Sequence, residues 1–369
     1  MTSTDPLRLQ EQRKRAHLAL AEKFYRAHPQ GHADFQQVRL LHPELPEVSL
    51  AEIDLSRSLF KKEIAAPFYI NAMTGGTAAA QPINQKLAHL AAHFELPLAV
   101  GSMSILQRAP ELAASFTVVR AEDPTGVVFA NLGANHSPAV AEQMVDLLAA
   151  DALQIHLNAA QEFAMPEGDD DFHWRENFQS LQARLGAQLP LIAKEVGFGM
   201  SPAALTTFAE WHLAGVDLSG ASSTNFIAIE NERRDQPLLS DLSDFGLSTV
   251  ESLLGRWQVY QKLTRFSPLT FASGGIRTPW EAIKAFALGA DLVGMSGYFL
   301  HLALHQDEMA MIKEFERWLA EFRGLLALMG CHNVGELRQV PLILGPELAS
   351  FAQQLGLDPC ELNRLRSQD

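Results

Sequence analysis

Leu269-Thr270-Phe271-Ala272-Ser273-Gly274-Gly275-Ile276-Arg277, then a helical stretch over 279–288, then Leu292-Val293-Gly294-Met295-Ser296-Gly297: this passage decides the fold. A short apolar run ends in a glycine-rich turn, an amphipathic stretch follows, and a second apolar run ends in the same way. Such a passage is a βα unit delivering the chain to the next strand of a parallel sheet. Working back towards the N-terminus, the rhythm recurs in Tyr69-Ile70-Asn71-Ala72-Met73, Leu98-Ala99-Val100, Val127-Val128-Phe129-Ala130, Leu153-Gln154-Ile155-His156-Leu157, Leu191-Ile192-Ala193-Lys194 and Val216-Asp217-Leu218. Helical periodicity separates these runs over 82–93, 138–149, 178–185, 202–213 and 249–263. Eight units predict an α/β fold, a closed (β/α)8 TIM barrel.

Polar or glycine-rich turns follow every run: Thr74-Gly75-Gly76, Gly101-Ser102, Asn131-Leu132-Gly133, Asn158 to Glu162, Lys194-Glu195-Val196-Gly197 and Ser219 to Asn225, besides the two turns quoted first. Barrel enzymes build their sites from these C-terminal strand ends. The expected organisation is a single domain over 1–369, with a barrel core at about 65–304, an N-terminal extension over 1–64 and a C-terminal helical extension over 305–369. The charged run Glu230-Asn231-Glu232-Arg233-Arg234-Asp235 lies in the long sixth connection and reads as a lid. Ser248, with Glu251 three residues on, reads as a capping box opening the next helix.

The 369 residues carry 29 basic and 43 acidic side chains, a formal charge of −14, which argues against nucleic-acid and anionic-membrane binding. An anionic ligand then needs a local basic patch. Cys331 and Cys360 form no CxxC motif and read as reduced thiols of a cytoplasmic protein. The polar start of the chain lacks the pattern of a secretory signal. The apolar stretch 286–304 is interrupted by Gly289, Asp291, Gly294 and Gly297, too often for a transmembrane helix.

The turns at Gly274-Gly275 and Ser296-Gly297 sit where barrels commonly bind phosphate, because small residues let backbone N–H groups approach its oxygens. Lys194 shares a strand face with Ile192 and points into the mouth, where an ammonium needs an anion or an electron-rich ring; a rim ion pair with Glu195 is the plainer alternative. Gln154, His156 and Asn158 share one face of the fourth strand and line the lumen. Gln161 and Glu162 follow, an amide to bind a ligand and a carboxylate to hold Mg²⁺, or simply a helix start. The acidic run from Glu167 to Asp171 lacks EF-hand alternation and reads as a solvated loop. Arg13-Lys14-Arg15-Ala16-His17 concentrates positive charge in an acidic chain, either as a solvated face or as a phosphate clamp folded over the mouth. Gly-x-Ser-x-Gly, His-Glu-x-x-His and Walker patterns are absent from the sequence, which removes the common hydrolase and NTPase readings.

Together these segments resemble the flavin-dependent type 2 isopentenyl-diphosphate isomerases. The resemblance is carried by Arg13-Lys14-x-x-His17, Asn71-Ala72-Met73-Thr74-Gly75-Gly76, Gln154-Ile155-His156-Leu157-Asn158-x-x-Gln161-Glu162, Lys194-Glu195-Val196-Gly197-Phe198-Gly199 and Ser273-Gly274-Gly275-Ile276-Arg277. It implies conversion of isopentenyl to dimethylallyl diphosphate in isoprenoid biosynthesis, with reduced FMN as acid and base. Mg²⁺ would sit on the diphosphate, and NADPH or NADH would only prime the flavin. It assigns FMN to Ala72, Met73, Thr74, Ser102, Asn131, Lys194, Ser219, Thr224, Gly274, Gly275, Ile276, Arg277, Ser296 and Gly297. Substrate falls to Arg13, Lys14, His17, Ser102, Met103, Ser104 and Gln161. Catalytic roles fall to His156, Asn158, Gln161 and Glu162, with Glu162 as metal ligand, and a homo-oligomer, tetramer or octamer, is implied. Ala16, Met103-Ser104 and Ala221-Ser222-Ser223 depart from the family pattern.

Two other functions fit parts of the pattern. A flavin-dependent 2-hydroxy-acid oxidase or dehydrogenase would share the phosphate turns but needs a histidine with an arginine near the seventh strand, where the sequence has Arg265 and Arg277 alone. A non-catalytic phosphate-ligand barrel would have no use for the polar face of the fourth strand.

Overall fold

The computed structural model describes residues 6–27, 33–165, 168–221, 225–239, 241–242, 245–263 and 266–368. Eight parallel strands close into a barrel: β1 (Phe68–Ile70), β2 (Leu98–Ala99), β3 (Val128–Gly133), β4 (Ala152–Leu157), β5 (Leu191–Glu195), β6 (Gly215–Asp217), β7 (Leu269–Ser273) and β8 (Leu292–Met295), with β8 paired back onto β1. All eight expected runs are strands of this barrel.

Boundaries shift for local reasons. The first run stops at Ile70 rather than Met73, because Asn71 Oδ1 accepts the Ala72 N–H at 2.7 Å and turns the chain out of the ladder. The third continues beyond Ala130 to Gly133, held in register by Asn131 opposite Gln154 and Gly133 opposite His156.

The helices, in chain order, are α1 (Pro6–Ala27), α2 (Ala80–Phe94), α3 (Ala114–Glu122), α4 (Pro138–Leu148), α5 (Ala159–Ala164), α6 (Arg175–Leu185), α7 (Pro202–Glu210), α8 (Phe226–Asn231), α9 (Thr249–Tyr260), α10 (Pro279–Ala287), α11 (Gly297–His305), α12 (Glu308–Leu328), α13 (Pro346–Gln354) and α14 (Pro359–Arg366). The expected capping box opens α9: Ser248 Oγ accepts from Glu251 N at 3.0 Å, and the Glu251 carboxylate accepts from Ser248 N at 2.8 Å. The stretch 286–304 is divided among α10, β8 and α11, and among the described residues no helix is long and apolar enough to cross a membrane.

Strand side chains alternate between two apolar regions. Phe68, Ile70, Val128, Ala130, Leu153, Ile155, Ala193, Ala272 and Val293 face the helices in the larger core. Tyr69, Ala99, Phe129, Ala152, Ile192, Phe271 and Leu292 turn inward. A hairpin of Arg57–Leu59 against Lys62–Ile64 stoppers the N-terminal end: Leu59 and Ile64 join the inner cluster, and the Phe60 ring lies 6.1 Å from Phe129 and 6.3 Å from Phe271. Only the C-terminal end remains for a ligand. Outside the ring, α12 sets Trp318 and Phe322 edge-on to Phe68, both at 4.9 Å. Val38–Leu40 pairs antiparallel with Leu342–Leu344, so the two chain extensions close on each other.

The lid reading of 230–235 is corrected at its first residue. Glu230 is fully buried at the end of α8, with its carboxylate paired to His17 and Arg233. A carboxylate held by His17 of α1 and by Arg233 ties the start of this run into the fold.

Candidate active site

Moving two residues up each strand from the inner apolar layer reaches the next inward positions: Asn71, Gly101, Asn131, Gln154, Lys194, Asp217, Ser273 and Gly294. The lumen therefore changes from apolar to polar within one step. Asp217, fully buried, anchors this layer. Its carboxylate accepts from Tyr69 Oη at 2.6 Å, Asn71 Nδ2 at 2.9 Å and Ser273 Oγ at 2.5 Å, with the Lys194 ammonium 3.3 Å away. Burial first, and then the adjacent Asp217 charge, hold the Tyr69 hydroxyl well above its usual range, so it stays a donor. Gly294 is required here because a Cβ would lie 2.4 Å from the Tyr69 ring.

Lys194 donates to the Glu195 carbonyl at 2.8 Å and to Ser219 Oγ at 3.3 Å. Its ionic partner is Asp217 and not, as the plainer reading had it, Glu195. The Glu195 carboxylate instead accepts from the backbone N–H groups of Val196, Gly197 and Phe198 at 2.6–2.7 Å, fixing the loop after β5. The ammonium is left at the floor of a cavity of about 610 Å³ that opens at the barrel mouth, a volume typical of small-molecule sites.

Along one wall Asn131 Nδ2 donates to Gln154 Oε1 at 3.2 Å, leaving Asn131 Oδ1 to accept from His156 Nδ1 at 2.8 Å. His156 is thereby assigned the Nδ1–H tautomer, with Nε2 as an acceptor. Burial, then the positive fields of His136, Lys194 and Lys14, push its pKa down to about 3, so the ring stays neutral. At the exit of β4, Asn158 Nδ2 donates to Glu162 Oε1 at 2.8 Å, and Asp169 N donates to Glu162 Oε2 at 3.0 Å. Gln161 Nε2 approaches Glu230 Oε1 at 3.4 Å, and His17 Nε2 reaches the same oxygen at 2.7 Å. Burial opposes ionisation of Glu230, but His17 and Arg233 outweigh it and keep the group below the ordinary carboxylate range.

Arg13, Lys14 and His17 of the basic run turn into the mouth, while Arg15 stays exposed. Lys14 on α1 donates to the carbonyls of Gly75 at 2.8 Å and Ser102 at 3.1 Å and lies 5.6 Å above the Phe116 ring. Burial, helped by neighbouring Arg13, lowers its pKa to about 7. Across the mouth, Gly274 and Gly275 take φ of 94° and 76°. A Cβ on Gly274 would strike the Gly220 backbone at 2.3 Å, so this turn is closed to side chains and presents bare backbone. Tyr25 of α1 covers Gly297 and stacks on the Arg277 guanidinium at 3.9 Å.

Of the residues singled out by sequence, Arg13, Lys14, His17, Ala72, Met73, Thr74, Ser102, Ser104, Asn131, His156, Asn158, Gln161, Glu162, Lys194, Ser219, Gly274, Gly275, Ile276, Arg277, Ser296 and Gly297 line this one cavity. Met103 does not: its side chain is fully buried in the outer core, and its N–H is donated to Asn131 O at 2.9 Å. Thr224 lies outside the described residues. Sequence reasoning gave no site role to Asp217, Tyr25 or Arg108, placed Glu230 in a lid, and read Asp169 as part of a solvated loop, a reading the structure corrects because Asp169 lines the cavity and bonds Glu162. An aspartate inside the apolar run Val216-Asp217-Leu218 was the signal for the first. Arg13, Lys14, Arg108, Lys194 and Arg277 against Glu162 and Asp169 make the lining cationic in an acidic protein, the basic patch that an anionic ligand requires.

The sequence pattern of the FMN-dependent dehydrogenase family matches residues 132–343. The flavin-binding domain of baker's yeast flavocytochrome b2 superposes with a TM-score of 0.65 at 19% identity, covering 89% of this chain and 80% of that one. A mandelate oxidase superposes at 0.58 with 16% identity, covering 89% and 92%. These likenesses establish the barrel alone. An isopentenyl-diphosphate delta-isomerase of Limosilactobacillus reuteri (strain JCM 1112) is 43% identical over 344 residues, 93% of this chain and 97% of its own. One of Staphylococcus epidermidis (strain RP62A) is 39% identical over 355 residues, 96% and 98%. Identity at this level over nearly the whole length of both chains, with the flavin-barrel pattern inside it, makes this chain a member of the isopentenyl-diphosphate delta-isomerase family in its type 2 form.

Proposed function

We propose that the protein converts isopentenyl diphosphate to dimethylallyl diphosphate, with FMN and the substrate side by side in the barrel mouth. The observation that carries this reading is the division of one cavity into two anion-binding ends. Bare glycine backbone with Arg277 and Ser296-Gly297 lies on one side, and Arg13 and Lys14 from α1 lie on the other. A single phosphate ligand needs one such end; a flavin phosphate and a diphosphate need both.

The residues fit FMN: the Gly274-Gly275 turn admits no side chain, and Lys194, Ser219 and Asn131 offer donors in front of it. When bound in its reduced form, FMN supplies an electron-rich ring with protonatable nitrogens, and a reduced nicotinamide nucleotide, NADPH or NADH, is needed only to reach that form. Lys194, at the cavity floor, would neutralise charge on such a ring. Arg13 and Lys14 meet the diphosphate charge, while neutral His156 contributes an acceptor and no charge. Glu162, an acceptor-only carboxylate beside Asn158 and Asp169, would hold Mg²⁺ through oxygen.

An alkene is a weak base, so proton addition at C4 and loss at C2 need a site that excludes water and fixes the carbon chain. The hairpin stopper below and α1 above serve this exclusion. Gln161, held between Asn158 and Glu230, positions the substrate end. The rival hydroxy-acid oxidation lacks its base: the described histidines lining the cavity are His17, His136 and His156, none after β7. Exposed Leu45, Leu50, Leu328 and Ile343, all on the chain extensions, favour a homo-oligomer. The test is anaerobic incubation with isopentenyl diphosphate, FMN, Mg²⁺ and NADPH. Allylic isomer is expected with the reductant and not without it; isomer formed equally without flavin and reductant would refute the reading.

A further inference from the structure

We infer that the protein carries a second metal site, for a zinc-class divalent cation, on its flank: Glu22 of α1 with His301 and His305 of α11. The two histidines are one helical turn apart and therefore on one face, the His-x-x-x-His spacing that lets two imidazoles share one ion. His301 Nδ1 lies 2.8 Å and His305 Nε2 2.9 Å from the same oxygen, Glu22 Oε1. All three donor groups fall within 4.8 Å of one another. A tetrahedral centre with ligand distances of about 2.0–2.1 Å holds its donors roughly 3.3 Å apart, so insertion of an ion needs movements of under about 1 Å.

A second observation points the same way. Glu22 Oε2 is buried and, among the described residues, has no hydrogen-bond partner, an arrangement that leaves a carboxylate oxygen's capacity unused. The half-exposed His305 leaves a side open for a water ligand. Two nitrogens and one carboxylate select zinc, cobalt or nickel over magnesium. His89, which also touches two carboxylates, is different: its opposite ring nitrogens face Glu122 and Glu308, so its partners do not converge.

The site joins α1, which carries Arg13, Lys14 and His17 into the cavity, to α11, which starts at Gly297 on the other side of the mouth. An ion there would lock α1 in the position seen. The inference does not depend on which reaction the cavity performs.

The test uses the full chain stripped with chelator and titrated with Zn²⁺, and in parallel with Co²⁺, in excess Mg²⁺ to occupy oxygen-only sites. One equivalent per chain is expected, with visible cobalt bands and a rise in Tm. His305→Gln, at the half-exposed end of α11, and Glu22→Gln should each weaken binding by more than about tenfold and abolish the Tm rise, with unchanged circular dichroism. Failure of the wild-type chain to bind zinc, or equal binding by both variants, would overturn the inference.

Discussion

Asp217 and Lys194 are a buried pair in which the ammonium relies on the carboxylate, while the carboxylate keeps three donors of its own. Asp217→Asn leaves an ammonium facing three donors, which costs about 3–5 kcal/mol; a lower midpoint in denaturant checks it, and an unchanged one contradicts the assignment of Asp217 as anchor. Lys194→Ala keeps the fold but should reduce flavin retention and activity by at least about tenfold, or 1.4 kcal/mol; an equally yellow and equally active variant would contradict the role. Lys14 sets a pH dependence. Its free pKa near 7 means that a bound diphosphate, which favours the ammonium, must draw in a proton above neutrality. Affinity for inorganic pyrophosphate should be full below pH 7 and fall as pH rises through it. Calorimetry in buffers of different ionisation enthalpy should record proton uptake at pH 8, and Lys14→Met should abolish it. The polar face of β4 and the strand-end lysine were legible because period-2 alternation is local. Asp217's partners were not, because they come from three other strands and meet only when the barrel closes.

At the scale of elements, α1 acts as a clasp. Lys14 and His17 each bond to groups more than sixty residues away, and Tyr25 closes on Gly297 and Arg277. A chain shortened by residues 1–27 should keep a cooperative unfolding transition, its far-ultraviolet circular dichroism reduced only by the helix removed. It should lose pyrophosphate binding by about 100-fold or more, the worth of one or two charged hydrogen bonds. Retained affinity would show that α1 is a bystander. The sequence announced α9 through its Ser248–Glu251 box and the barrel strands through apolar runs. It did not announce the hairpin 57–64 as a stopper, because alternation in three-residue strands is too short to read. Met103 was placed with the substrate by its neighbours Ser102 and Ser104, yet the turn following β2 sends alternate side chains to opposite sides, and the apolar one goes to the core.

At the scale of the molecule, the chain ends tie the barrel shut from outside. Arg366, 1% exposed, donates to the carbonyls of Ala287, Leu337 and Val340 at 2.6–3.0 Å, joining α14 to α10. Burial lowers its pKa to about 10 without discharging it at neutral pH. Arg366→Met strands those carbonyls and should cost about 3 kcal/mol, seen as a lower Tm with flavin affinity unchanged. The net charge of −14 and the cationic mouth together describe a protein whose surface repels polyanions and whose positive charge is concentrated at the cavity. On the proposed function this mouth moves protons on an alkene without consuming reducing equivalents. The most direct measurement is turnover of isopentenyl diphosphate in D₂O, scoring deuterium in the allylic product against NADPH oxidised. Deuterium in the new methyl group and far less than one NADPH oxidised per product are expected. Product without deuterium, or one NADPH per turnover, would contradict it.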